Sequence, residues 1–128
     1  MRGLPQEISM NESISRVTDS GFEQDVLQSP LPALVYFWAQ WCKECQPMSQ
    51  LVEVVAAEKR DRLKTVLLDV DSNPRMAALH CIAMVPTVIL FISGKERQRI
   101  EGVSNRAHLV STIDMHISDA EEEIVARS

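Results

Sequence analysis

The chain lacks the features that would place it in a membrane, on a secretory route or on nucleic acid. No apolar run approaches the ~20 residues that span a bilayer. The longest core-like run, Val85 to Ile92, is short and contains Pro86. Met1 to Asn11 carries a single Arg and no apolar stretch, so no secretory signal is read there and a cytoplasmic location is expected. Positive charge is in deficit: 13 Lys and Arg stand against 18 Asp and Glu, a formal net charge of −5. That balance argues against nucleic acid or an anionic membrane as the main partner. Cysteine is scarce too. Three cysteines, unevenly spaced, are too few for a structural disulfide framework, and in a reducing compartment a close pair reads as catalytic or metal-binding. No internal repeat and no long linker interrupts the chain.

What remains is one domain. A length of 128 residues with 45% hydrophobic content suffices for a sequence-built core. Residues 1–12 are polar, contain Pro5 and read as a loose arm. Residues 119–128 read as an acidic tail that frays beyond the last helix. The folded body is 13–118. Within it, short apolar runs alternate with helical patterns. Strands are expected at Ile14–Val17, Ala33–Trp38, Thr65–Asp71, Thr87–Ile92 and Arg97–Glu101. Helices are expected at Asp19–Gln28, Lys43–Arg60 and Asn73–Leu79, with a last one capped by Ser104 and carrying Leu109, Ile113 and Ile117. Thr18 or Asp19 is the expected cap of the first helix, and Asp71, Ser72 or Asn73 that of the third. Pro47 cannot donate to the Lys43 carbonyl, so a bend is expected early in the long helix. The order βαβαβαββα predicts an α/β fold: a mixed sheet of about five strands with helices on both faces.

The most informative segment is Trp41-Cys42-Lys43-Glu44-Cys45, at the end of the apolar run from Ala33. Residues three apart at a helix start have Cβ atoms roughly 5–6 Å apart, and a small adjustment brings them to the ~3.5–4.5 Å a disulfide needs. The same helix start offers free N–H groups and partial positive charge, which favour a thiolate at Cys42. The pair is suited to dithiol/disulfide exchange. Three other readings stay open. One is an inert disulfide or two buried thiols. The second is a metal site drawing on His80 and Cys81, the third an iron–sulfur cluster shared by two copies through Cys42. Cys81 is expected to behave as a small core hydrophobe, with a regulatory or dimer-forming thiol as the alternative. His108 and His116 read as surface residues, and Asp69 and Asp71 as strand-end solvation and capping.

The order of elements and these motifs resemble the thioredoxin family from about Ile14 to Ile117. Phe37-Trp38-Ala39-Gln40-Trp41-Cys42-Lys43-Glu44-Cys45 is similar to the family's active-site segment. Val17 to Leu27 resembles its first strand–helix junction, and Val70 to Pro74 the stretch leaving its central strand. Val85-Pro86-Thr87 is similar to the loop holding its cis-proline, and Gly94 and Gly102 fall at its late glycines. The resemblance implies a thiol–disulfide oxidoreductase that reduces protein disulfides. Cys42 would be the exposed nucleophile, Cys45 the buried resolving thiol and Trp41 the rim of the site. Pro86 would be cis, exposing backbone for an extended substrate, with Val85, Trp38, Lys43 and Glu44 as supporting positions. Protein disulfides are the implied substrates and a reductase or low-molecular-weight thiol the electron donor. No cofactor is implied, and a monomer is expected.

The chain departs from the family pattern at several places. Lys43-Glu44 stands where the family has Gly-Pro between its cysteines; Lys43 favours and Glu44 opposes the Cys42 thiolate. Gln50 replaces the proline that bends the family's long helix. Tyr36 stands where the family has a buried aspartate, and Leu67 where it has the accompanying lysine. Tyrosine, with an unperturbed pKa of about 10, is a poor base at neutral pH, so a stable core with slow resolution of mixed disulfides is expected. An adaptor module with weak dithiol chemistry, like the leading domain of monothiol glutaredoxins, is the alternative. Arg99 to Val103 is somewhat similar to that group.

Overall fold

The computed structural model describes residues 13–127, with side chains described through residue 121. The arm at 1–12 lies outside the described residues. Five strands form one sheet: β1 (Ile14–Arg16), β2 (Ala33–Trp38), β3 (Lys64–Asp69), β4 (Thr87–Ile92) and β5 (Lys95–Glu101). Their spatial order is β1-β3-β2-β4-β5. β3 runs parallel to both β1 and β2, while β4 is antiparallel to β2 and β5. Three α-helices accompany them: α1 (Cys45–Glu58), α2 (Pro74–Leu79) and α3 (Arg106–Arg127). The α/β architecture with a mixed five-stranded sheet is therefore the expected one.

β2 lies at the centre and all six of its residues are buried, as a strand covered on both faces must be. Its alternation assigns each side chain to one of two cores. Leu34, Tyr36 and Trp38 join Val52, Val55, Leu109 and Ile113 beneath α1 and α3. Ala33, Val35 and Phe37 join Phe22, Val26 and Met76 on the other face. At about 25 cal/mol per Å² of apolar surface removed from water, such two-sided burial is the main stabilising term.

Several local expectations are corrected. The first helix, expected over Asp19–Gln28, is a single π-helical turn at Glu23–Leu27, closed by the Gln28 N–H on the Glu23 carbonyl at 2.9 Å. Asp19 is used elsewhere. Its carboxylate accepts the Arg75 and Met76 N–H groups at 3.1 and 2.8 Å and so caps α2 from 56 and 57 residues away. Asn73 occupies the cap position of α2 without a side-chain bond to it, and its amide oxygen accepts the Asp19 N–H instead. Asn105, not Ser104, caps α3, accepting the His108 N–H at 2.9 Å. Pro47 falls in the first turn of α1, where N–H groups have no intrahelical partner, so it costs the helix no bond and requires no bend. At the β4–β5 hairpin Gly94 has φ +79°, and a Cβ there would stand 2.9 Å from the Leu27 carbonyl oxygen. Both the backbone angle and the close approach demand glycine.

Candidate active site

β2 and β3 end at the same edge of the sheet, where antiparallel β4 begins: Phe37 pairs with both Leu68 and Thr87. The loop leaving β2 and the loop entering β4 therefore meet. The first carries Trp41 to Glu44 into α1, and the second carries Val85 and Pro86. The Val85–Pro86 peptide bond is cis. The Pro86 carbonyl accepts the Gly102 N–H at 2.7 Å, and the Thr87 hydroxyl donates to the Met84 carbonyl at 2.7 Å. These bonds fix the second loop internally and to the residue that follows β5.

Cys42 and Cys45 form a disulfide with Cα atoms 5.3 Å apart. Cys45 is the first residue of α1, and its N–H points at Cys42 Sγ from 3.1 Å. This helix N–H, which sulfur shares with the Cys42 carbonyl at 3.3 Å, together with the helix dipole favours negative charge on Cys42 when the bond is reduced. Cys42 Sγ also lies 3.7 Å from the Val85 carbonyl oxygen, within reach of a thiol donor. The expected exposure of Cys42 is corrected: it is 4% exposed, against 2% for Cys45, because the two loops close over the sulfur. Lys43 and Glu44 are both exposed. Trp41 is 68% exposed, and its Nε1 donates to Asp71 Oδ2 at 2.8 Å. Asp71 thus anchors the rim, a role its strand-end position did not reveal.

Beneath the cysteines the structure places Tyr36. Its hydroxyl lies 2.9 Å from the Cys45 carbonyl oxygen and 2.9 Å from Ser49 Oγ, while Ser49 donates to that same carbonyl at 2.6 Å. Burial pushes the Tyr36 hydroxyl up to about 12, with the Ser49 hydrogen bond lowering it in part. It is a hydrogen-bonding group here and no base. Leu67 sits beside Tyr36 in the β2–β3 register and is buried. Trp38 lies in the same core as both cysteines. Ser49 was missed in the sequence. Its signal was the fourfold spacing from Cys45 on the buried side of α1.

Cys81 is exposed, not a core residue. It follows α2 with φ 55°, which turns it away from the packed side. Its neighbour His80 points the other way, its ring 5.0 Å from Phe22 and 5.4 Å from Phe91.

A redox pair opening a helix at the end of the central strand, opposite a cis-proline loop, defines a thiol–disulfide oxidoreductase. The family model for thioredoxin matches residues 13–115. The thioredoxin of Porphyra purpurea is 39% identical over 106 residues, 83% of this chain and 99% of that protein. The thioredoxin of Acidithiobacillus ferridurans is 36% identical over 108 residues, 84% of this chain and 100% of that protein. The bifunctional thioredoxin reductase/thioredoxin of Mycobacterium leprae is 44% identical over 94 residues, which cover 73% of this chain and 20% of that protein. The chain belongs to the thioredoxin family, with Cys42 and Cys45 as its redox-active pair. Its activity is reduction of protein disulfides. Among the described residues no helix is long and apolar enough to cross a membrane.

Proposed function

We propose that Cys42 is the nucleophile and Cys45 the resolving thiol of a protein-disulfide reductase whose resolving step is slow. Cys42 thiolate attacks one sulfur of a substrate disulfide, forms a Cys42–substrate bond and releases the other substrate sulfur as thiolate. Cys45, after losing its proton to water, attacks Cys42 Sγ. The Cys42–Cys45 bond forms, the mixed disulfide breaks and the substrate leaves reduced. The observation that carries the assignment is the Cys45 N–H on Cys42 Sγ at 3.1 Å. It stabilises a thiolate at the first cysteine, which favours that sulfur as the attacking group.

Trp41 and the half-buried Val85 form the surface that receives substrate backbone, with the buried Pro86 and Trp38 packed beneath and Lys43 and Glu44 facing the partner. Residues 13–118 are the redox domain, preceded by an arm; the acidic residues expected as a tail beyond the last helix instead continue α3 to Arg127. The protein works as a cytoplasmic monomer, without nucleic acid or membrane, and is re-reduced by a reductase or a low-molecular-weight thiol. The negative net charge supports that choice of partners.

Insulin reduction with dithiothreitol or thioredoxin reductase as donor tests the activity. Turnover with either is expected, and a folded protein that turns over with neither overturns the reading. A potential near the ~−270 mV of thioredoxin fits a reductant, whereas ~−120 to −180 mV marks an oxidant or isomerase.

A further inference from the structure

We propose that Ser49 is a positioning residue for the resolving step, holding, together with Tyr36, the Cys45 carbonyl so that the Cys45 thiol stays aimed at a mixed disulfide on Cys42. The inference rests on the role assignment above. Ser49 is 8% exposed, and its hydroxyl, the Tyr36 hydroxyl and the Cys45 carbonyl oxygen form a closed triangle with sides of 2.6, 2.9 and 2.9 Å. The Ser49 hydroxyl donates to this carbonyl from one helical turn along α1, and the Tyr36 hydroxyl donates to the same oxygen from β2.

The need for such a clamp follows from the local sequence. Pro47 costs the helix no bond, but it has no N–H of its own to offer the Lys43 carbonyl. The Lys43 carbonyl is met by the Gln46 N–H at 3.2 Å instead. While the Cys42–Cys45 disulfide is closed, the cross-link itself fixes the turn. Once Cys42 is bonded to a substrate, that cross-link is gone. The turn then depends on hydrogen bonds, and helix ends fray. Tyr36 belongs to β2, the most buried strand, so the triangle ties the Cys45 backbone to the rigid centre of the sheet. In the resolving step the Cys45 sulfur donates its electron pair to Cys42 Sγ and its proton goes to water. The substrate sulfur leaves with the pair from the broken bond. Neither hydroxyl gains or loses a proton. Their role is to hold the attacking group in line, and small losses of alignment are costly in rate.

The test uses reduced protein carrying Cys81→Ser, since Cys81 is exposed, mixed with a symmetric aromatic disulfide that releases a coloured thiolate. A first release reports attack by Cys42, and a second reports resolution by Cys45. Ser49→Ala is expected to slow the second release about 3- to 10-fold, the scale of one hydrogen bond, and to leave the first within about twofold. It is also expected to shift the glutathione equilibrium toward the dithiol by about the same factor. Ser49→Thr keeps the hydroxyl and restores both. Equal rates in wild type and Ser49→Ala overturn the proposal. So does slowing of both phases together with a lower melting temperature and no rescue by threonine, which marks a purely structural residue. A wild-type protein that gives no second release overturns the underlying reductase reading itself, a result distinguishable from failure of the clamp.

Discussion

The Tyr36 hydroxyl lies 2.9 Å from the Cys45 carbonyl oxygen, joining the central strand to the first turn of the helix that carries the redox pair. A neutral hydroxyl thus lies beneath the Cys45 backbone. The contact supports the backbone of Cys45.

Tyr36 also makes stability depend on alkaline pH. Burial raises its hydroxyl to about 12, above the unfolded value of about 10. The folded state therefore keeps the proton longer than the unfolded state. The associated stability is complete below about pH 10 and is lost as pH rises toward about 12, at up to ~1.4 kcal/mol per pH unit. Denaturant unfolding of wild type against Tyr36→Phe across this window isolates it. The phenylalanine variant, which costs about 1 kcal/mol at pH 7, is expected to show the shallower decline.

Tyr36→Asp alone buries a carboxylate beside Leu67, which faces it across the β2–β3 register. An unpaired buried charge is expected to cost ~3 kcal/mol or more. Adding Leu67→Lys supplies the partner and recovers part of that loss. The double variant is expected to resolve mixed disulfides faster than wild type, measured as insulin turnover. No gain in rate would show that proton removal from Cys45 does not limit the step.

Cys45→Ser leaves the nucleophile and removes the group that releases substrate. Stable mixed disulfides through Cys42 are expected, identified by non-reducing electrophoresis and peptide mass mapping. Linkage through the exposed Cys81 would contradict the role assignment.

Asp19→Ala removes the carboxylate that accepts the Arg75 and Met76 N–H groups. A lost cap costs about 1–2 kcal/mol. Because the contact reaches α2 from beyond β1, hydrogen exchange is expected to accelerate at the Arg75 and Met76 amides. Unchanged exchange there would mean that water replaces the cap at no cost.

The sequence by itself determined the strands, the sheet's two buried faces and the redox pair. These rest on local signals: β2 and β4 are almost wholly apolar, and the two cysteines lie within one helical turn of each other. Tertiary structure alone decided where the polar side chains are used. Asp19 was read as the cap of its own helix and instead caps α2. Asp71 was read as strand-end solvation and instead holds Trp41. Ser49 carried no distinctive motif and closes the triangle under Cys45. Each of these contacts depends on an oxygen meeting a donor that only the folded chain brings near. Periodicity records which side of an element is buried; it does not record which donor lies 3 Å away from a given oxygen.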